Sequence, residues 1–387
     1  MALANSPFSS AMLDAGNAVS ITTSTVTLLT RVLAKAAELG ASDIHLCPGV
    51  SWKYRINGRV LPLGLPPLRP EDCIEIVRHI LLNSKSFVGQ DMDQVVQNLT
   101  DFDCSYAVPG VSRFRVNICR QRGSFSLVLR VIPEDCPTIE GLGLPPVIKE
   151  ISMEERGLVL VTGVTGSGKS TTLAAMIGEI NRARNCKIVT IEDPIEYLHR
   201  EVKASLIQRE VGVDTESFAK ALRAALRQDP DVILVGEMRD RETVDIALKA
   251  AETGHLVLST LHTIDAPKTI QRIVSVFDLS EQKAIRLRLA ETVKAVISQR
   301  LVPRQDKPGR VAVVEVLRST RTIQDCIENP EKTGAIKDHL AMGRDMFGTQ
   351  TFDQHLMDLC QAGIISMATA IAAATSPRDF ERNVTFS

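Results

Sequence analysis

Residues 158–172 read LVLVTGVTGSGKSTT, and no other stretch restricts the fold as tightly. An apolar, largely β-branched run ends in a glycine-rich turn. Lys169, Ser170 and Thr171 then open a helix, at the phosphate-loop spacing G-x-x-x-x-G-K-[ST]. Such a run has to be a buried strand with a helix packed back over its sheet. Gly163, Gly166 and Gly168 permit backbone turns that a side chain would obstruct, so N–H groups along Val164, Thr165 and Ser167 can converge on an anion. The N-terminal end of the helix adds to the positive field. Lys169 would then reach the β- and γ-phosphates of a nucleotide as a point charge, and the Ser170 hydroxyl would ligate a bridging Mg2+. The bland alternative, a glycine-rich turn with a chance Lys-Ser pair, does not account for strand, spacing and helix occurring together.

At 387 residues the chain exceeds what one hydrophobic core usually supports, so two domains are expected. Net charge is only −1, so any attraction to nucleic acid or anionic lipid has to come from a local patch. The eight cysteines include no C-x-x-C pair, which argues against a zinc module and fits reduced thiols in a cytosolic protein. No stretch has the uncharged apolar length needed to cross a bilayer. The first residues lack a basic region and carry Asp14, against a secretory signal, so 1–22 are read as a loosely ordered leader, with an interaction tail as the alternative.

Residues 25–40, TVTLLTRVLAKAAELG, space their apolar side chains as an amphipathic helix that stops at Gly40. SDIHLCPGVSWKYRINGRVLPL predicts two strands around a turn and, after Asn57-Gly58, a third. A proline-rich break leads into a helix over 71–82, and 101–131 alternates in a strand-like way. The sum is an α+β domain with a mostly antiparallel sheet. Within it Arg113, Arg115, Arg120, Arg122 and Arg130 occupy a stretch without acidic residues. They are candidates for gripping phosphate oxygens, the alternative being a solvated basic face. Residues 133–146, PEDCPTIEGLGLPP, predict a linker.

Beyond it, strands and helices alternate. LVLVT precedes a helix to about Arg184, KIVTIEDPIE, DVILVGEM and HLVLSTLHT are strands, and further helices are expected over 241–252 and 281–299. This predicts a mainly parallel sheet covered on both faces, the RecA-type form of the phosphate-loop fold, with ligands at the carboxyl ends of the strands. Three clusters fall there. Glu192 and Asp193 stand before Pro194, where one carboxylate can deprotonate an attacking water and another hold a metal-bound water; a hydrogen-bonded turn acid is the alternative. Glu237 closes DVILVGEM, where an acid completes a Mg2+ shell, with Asp240 as a helix cap and Arg239 as partner to an acid. His255 and His262 bracket HLVLSTLHT, either as structural histidines or as groups that sense or polarise. No thiolate or carboxylate set accompanies them for zinc.

Together these motifs resemble the secretion-superfamily motor ATPases, in particular the PilT/PilU branch that retracts type IV pili. GVTGSGKSTT is similar to that family's phosphate loop, VTIEDPIEY to its aspartate box, LRQDPDVILVGEMRD to its Walker B region and TGHLVLSTLHT to its histidine box. SDIHL and RFRVNICRQRG resemble its N-terminal PAS-like domain, and QTFDQHLMDLCQAGIIS its C-terminal helical segment. The resemblance implies an α/β chain in which a smaller N-terminal α+β PAS-like domain, 23–133, follows the leader. A linker, 134–148, joins it to a RecA-like ATPase domain with C-terminal helices, 149–375, and a tail, 376–387. It implies that Gly163, Val164, Thr165, Gly166, Ser167, Gly168, Lys169, Ser170 and Thr171 bind ATP or ADP, and that Ser170 and Glu237 hold Mg2+, partly through water. Glu192 would be the general base and Glu237 the Walker B acid, while Arg115 and Arg130 would reach the nucleotide from the N-terminal domain, with Arg113 a weaker candidate. His255 and His262 would couple nucleotide state to neighbouring parts.

The implied function is that of a cytoplasmic homohexameric motor, peripherally associated with the inner membrane. It would act on a PilC-like platform protein, and through it on the pilin filament, with a paralogous retraction ATPase as a further partner and no direct nucleic-acid contact. Two departures bear on this. Where the retraction ATPase proper carries A-I-R-N-L-I-R-E, this chain reads GAIKDHLAMGRDMFG from Gly334, keeping Ala335 and Ile336, which is closer to the accessory PilU-like form. The four-cysteine module of many pilus-extension and type II secretion ATPases is absent from the sequence. The alternatives are a motor for pilus assembly, secretion or DNA uptake, and a non-hydrolysing subunit docking on another motor ring.

Overall fold

The computed structural model describes residues 24–385 apart from 57, 85, 86, 88 and 133–135, so the leader, Asn57 of the hairpin signal and the first linker residues lie outside it. The chain divides into two compact units between Val131 and Ile132.

The first unit opens with α1 (Thr25–Glu38), whose N-terminus is capped by Ser24 Oγ accepting from Thr27 N at 3.3 Å. Strands β1 (Asp43–Leu46), β2 (Lys53–Ile56) and β3 (Arg59–Pro62) follow. Ile56 pairs with Arg59, and Gly58 just before Arg59 adopts a φ of +79°, the left-handed region that favours glycine. Helices α2 (Pro70–Asn83) and α3 (Met92–Asn98) precede three long strands, β4 (Asp101–Val108), β5 (Ser112–Gln121) and β6 (Ser124–Ile132). The sheet order is β3-β2-β1-β6-β5-β4, and α1 and α2 supply Leu29, Leu33, Ile76 and Ile80 to a core shared with Phe114 and Leu129.

The second unit runs α4 (Val147–Ser152), β7 (Gly157–Thr162), α5 (Lys169–Ala183), β8 (Lys187–Glu192), β9 (Ser205–Glu210), α6 (Phe218–Ala225), β10 (Val232–Val235), α7 (Arg241–Glu252), β11 (Leu256–Leu261), α8 (Ala266–Ser275), α9 (Gln282–Thr292), β12 (Val293–Pro303) and β13 (Arg310–Arg318). The helices α10 (Arg321–Glu328), α11 (Ile336–Met342), α12 (Arg344–Phe347), α13 (Phe352–Gln361), α14 (Met367–Ala373) and α15 (Pro377–Thr385) complete it. The sheet order is β13-β12-β7-β11-β10-β8-β9, parallel throughout except for β13. Side chains alternate across β7: Leu158 and Leu160 join the cluster of α7, α8 and α9, while Val159 and Val161 join that of α4 and α5. Burial on both faces is what makes the strand sequences continuous apolar runs.

Two expectations are corrected. The helix expected over 281–299 ends at Thr292, and the chain continues as β12. β-Branched Val293, Val296 and Ile297 are buried between β7 on one side and β13 on the other, and that pairing overrides the helical spacing of Ile285 and Leu289. The segment 376–387 is helix α15 as far as Thr385 rather than a tail, because Phe380 packs into a cluster with Phe352, Leu356 and Ile365.

Candidate nucleotide site

β7 delivers the chain to Gly163, and α5 begins at Lys169. Gly163, Gly166 and Gly168 take φ of +147°, +77° and +89°, where side chains are strained. Space is excluded as well. A Cβ on Gly163 would stand 2.4 Å from Gln299 O and 2.6 Å from Ser167 Oγ, and one on Gly168 would stand 2.8 Å from Gln299 Nε2. The loop is thus fitted against β12. Gln299, buried there, donates from Nε2 to Ser167 O at 2.7 Å and accepts at Oε1 from Thr172 Oγ1 at 2.8 Å. Beside it Thr162 Oγ1 bonds Ser298 Oγ at 3.1 Å. Gln299→Ala leaves a buried carbonyl and hydroxyl unpaired, so chemical denaturation is expected to show a loss of about 1–3 kcal/mol. An unchanged midpoint and slope would mean that the loop holds its shape without this anchor.

Lys169 Nζ donates to Gly163 O at 2.9 Å and Val164 O at 3.2 Å, closing the loop on itself. Burial pushes its pKa down, against the opposing charge of Glu237. The buried Ser167 hydroxyl has no hydrogen-bond partner among the described residues. Ser170 is exposed on the first turn of α5, and Thr171 Oγ1 lies 3.1 Å from Tyr197 OH.

The neighbouring strand ends bring up the acids. At the end of β8, Glu192 Oε1 accepts from Thr190 Oγ1 at 2.6 Å and from Gln208 Nε2 at 3.3 Å, and Gln208 also donates to Tyr197 O at 2.9 Å. Burial of the Glu192 carboxylate raises its pKa against the lowering effect of those bonds. Gly236 N bonds Ile191 O at 2.8 Å, which holds the end of β10 against β8 and sets Glu237 beside Glu192's strand. Glu237 is gripped on both oxygens, by Arg239 at 2.7 Å and by His262 Nε2 at 3.2 Å. Burial alone would raise its pKa, but the bonds from Arg239 and His262 hold it below the usual carboxylate range. Asp240 accepts from Thr243 N at 2.8 Å and caps α7, as its position suggested. Lys169, His262, Glu237 and Glu192 therefore follow the adjacent carboxyl ends of β7, β11, β10 and β8.

His255 is not brought to this row. It precedes β11 at the opposite sheet edge, with Nδ1 2.9 Å from Ala250 O and 3.3 Å from Thr253 Oγ1. Seven steps at ~3.3 Å each set it about 23 Å from His262. In the first unit the arginine run is divided among separate tasks. Arg120 donates to the carbonyls of Leu99, Val96 and Gln97 at 2.6, 2.8 and 2.8 Å, at the C-terminal end of α3. Arg130 on β6 bonds Asp43 Oδ1 at 2.9 Å, and Arg55 approaches the other oxygen at 3.6 Å. Burial would raise the Asp43 pKa, but the bonds from Arg130 and Ser42 hold it down. Arg115 lies on β5 opposite Ser105 of β4, and Arg122 turns the chain with φ of +48°.

A family model described as type II/IV secretion system protein matches residues 21–354. The chain belongs to this family. The secretion-family chain is 45% identical over 352 residues to the type IV pilus retractation ATPase PilT of Pseudomonas aeruginosa, covering 91% of this chain and 99% of the relative. It is 40% identical over 351 residues to the type IV pilus ATPase PilU of the same organism, covering 90% of this chain and 89% of the relative. Among solved structures, that of the pilus retraction motor PilT with bound ADP matches at a TM-score of 0.82 and 44% identity, over 92% of this chain and 99% of that one. The fold is thus that of a secretion ATPase, and no helix among the described residues is long and apolar enough to cross a membrane.

The secretion-family site suits an anionic ligand. It has a cradle that a Cβ would fill, a buried hydroxyl awaiting a partner and a lysine among backbone carbonyls. No group of three or more His, Cys, Asp or Glu among the described residues could hold a metal ion. A cation here would rely on Ser170, Glu237, water and ligand oxygens, which is how Mg2+ binds beside phosphates.

Proposed function

We propose that this chain is a motor ATPase that couples ATP hydrolysis to type IV pilus retraction. The observation that carries the reading is the row of Lys169, His262, Glu237 and Glu192 at one sheet edge, in a chain that matches PilT along nearly the whole of that relative. Loop N–H groups and Lys169 bind the phosphates of ATP, and Ser170, with Glu237 through water, would hold Mg2+. When bound there, Mg2+ would supply charge that offsets the phosphates. Glu192 takes the proton of the attacking water, a task that a raised pKa favours. His262, bonded to Glu237, reports the state of the site to the loop that follows it.

In this reading the chain works as a homohexamer at the cytoplasmic face of the inner membrane. It pulls on a PilC-like platform protein, and pilin subunits leave the filament. The segment after Gly334, with its departure from the retraction motif, favours an accessory form that acts with a paralogous motor. Deleting the gene tests the direction of force: surface pili should accumulate while twitching is lost, as scored by sheared-pilin yield and colony spreading. Disappearance of surface pili would assign assembly instead.

A further inference from the structure

β11 ends at Leu261 and α8 starts at Ala266, so residues 262–265 alone join strand to helix, with His262 at their head on Glu237. His262 and Ile264 are exposed, but the far end of the link is held by two side chains remote in sequence. Glu315 on β13, only 2% exposed, accepts from Ala266 N at 2.8 Å. Lys337, in the first turn of α11, places Nζ 3.1 Å from Asp265 Oδ2, and Asp265 Oδ1 accepts from Lys268 N at 2.9 Å to cap α8. Thr263 Oγ1 and Thr269 Oγ1 lie 2.7 Å apart and tighten the same corner. A link of four residues spans at most about 14 Å, so a shift at Asp265 or Ala266 is passed on to His262.

The two anchors depend on one another. Asp265 and Glu315 are carboxyls packed behind one helix start, and the compensating charges are Lys337 and, from β12, Arg300. Burial, with the charge of Asp265, pushes Glu315 up to about 7 against the bond from Ala266 N and those two cations. His355 of α13 is engaged with Val314 N, the next residue along the strand. Lys337 belongs to the segment in which the sequence departs from the retraction motif.

We propose that Glu315 and Lys337 are positioning residues that fix the 262–265 link and, through it, the His262–Glu237 bond, so that the segment beginning at Gly334 sets the activity of the nucleotide site. This rests on the ATPase reading above. The test uses the full chain and four variants. Lys337→Met and Glu315→Ala remove the anchors, whereas Lys337→Arg keeps the cation and Glu315→Gln keeps an acceptor for Ala266 N. Lys337 is half-exposed, so its variants are expected to fold. Hydrogen exchange of peptides covering 259–270 and steady-state phosphate release are measured. The Met and Ala variants should exchange faster at 262–266 and lose about 2- to 30-fold in kcat. KM for ATP should stay within about twofold, because the phosphate loop is untouched. The Arg and Gln variants should resemble the parent in both readouts. Parental exchange and kcat in the Met and Ala variants would overturn the proposal, as would equal losses in all four. If the parent chain releases no phosphate, the ATPase reading fails, while the exchange pattern still decides whether Glu315 and Lys337 hold the link.

Discussion

Lys169→Ala is expected to lower phosphate release by about 10²- to 10³-fold, the scale on which removing one preorganised group costs a transition state. The ammonium sits inside the loop that it serves, donating to Gly163 O and Val164 O, with its charge disfavoured by burial and favoured by Glu237. Alanine supplies no charge for the transferring phosphoryl group and leaves two loop carbonyls without their donor. The deficit should appear in both kcat and KM, since the same lysine contacts phosphate before and during reaction. A phosphate-release rate equal to that of the parent would sink the hydrolytic reading of the whole site.

Glu192→Gln should cost about 10²- to 10⁴-fold in kcat while nucleotide binding persists, the range for loss of a positioned general base. The replacement keeps the shape of the side chain and an oxygen for the Thr190 hydroxyl, so the deficit is chemical rather than structural. The base works only when deprotonated. Because burial raises its pKa, activity should fall, as pH is lowered, at values above the ~4.3 of an ordinary glutamate. This acid limb should be missing from the residual activity of the glutamine variant. A variant that hydrolyses ATP at the parental rate would move the base elsewhere on the strand ends, with Glu237 the next group to test.

The phosphate loop was legible because its chemistry is local: three glycines, a lysine and a serine lie within a few positions, and a strand before them fixes which sheet edge they occupy. Glu192 and Glu237 were legible for a related reason, since an acid that ends a buried run must emerge at the carboxyl edge. Gln299 was hidden because its role depends on the register of β12 against β7, a long-range pairing that no local pattern contains. No glycine or proline marks the change from α9 to β12 at Val293, and the apolar positions of VKAVISQRLVP fit either period. The opposite fates of the two histidines follow from the length of β11, a signal already present in the spacing of His255 and His262. Of the arginine run, charge alone was readable. That Arg120 ends a helix and Arg130 answers Asp43 depends on which strands meet in the sheet.

Ser298 stands opposite Glu315 in the β12–β13 pair, so the residue that grips the phosphate loop and the residue that grips the link beyond His262 ride on neighbouring rungs of one ribbon. Phe352 and Leu356 of the C-terminal helices pack on Val311 and Val313 of the same ribbon. The C-terminal helices therefore rest on the same two hydrogen-bonded strands that reach both flanks of the site. The phosphate cradle and the link beyond His262 thus share one two-stranded support with the C-terminal helices.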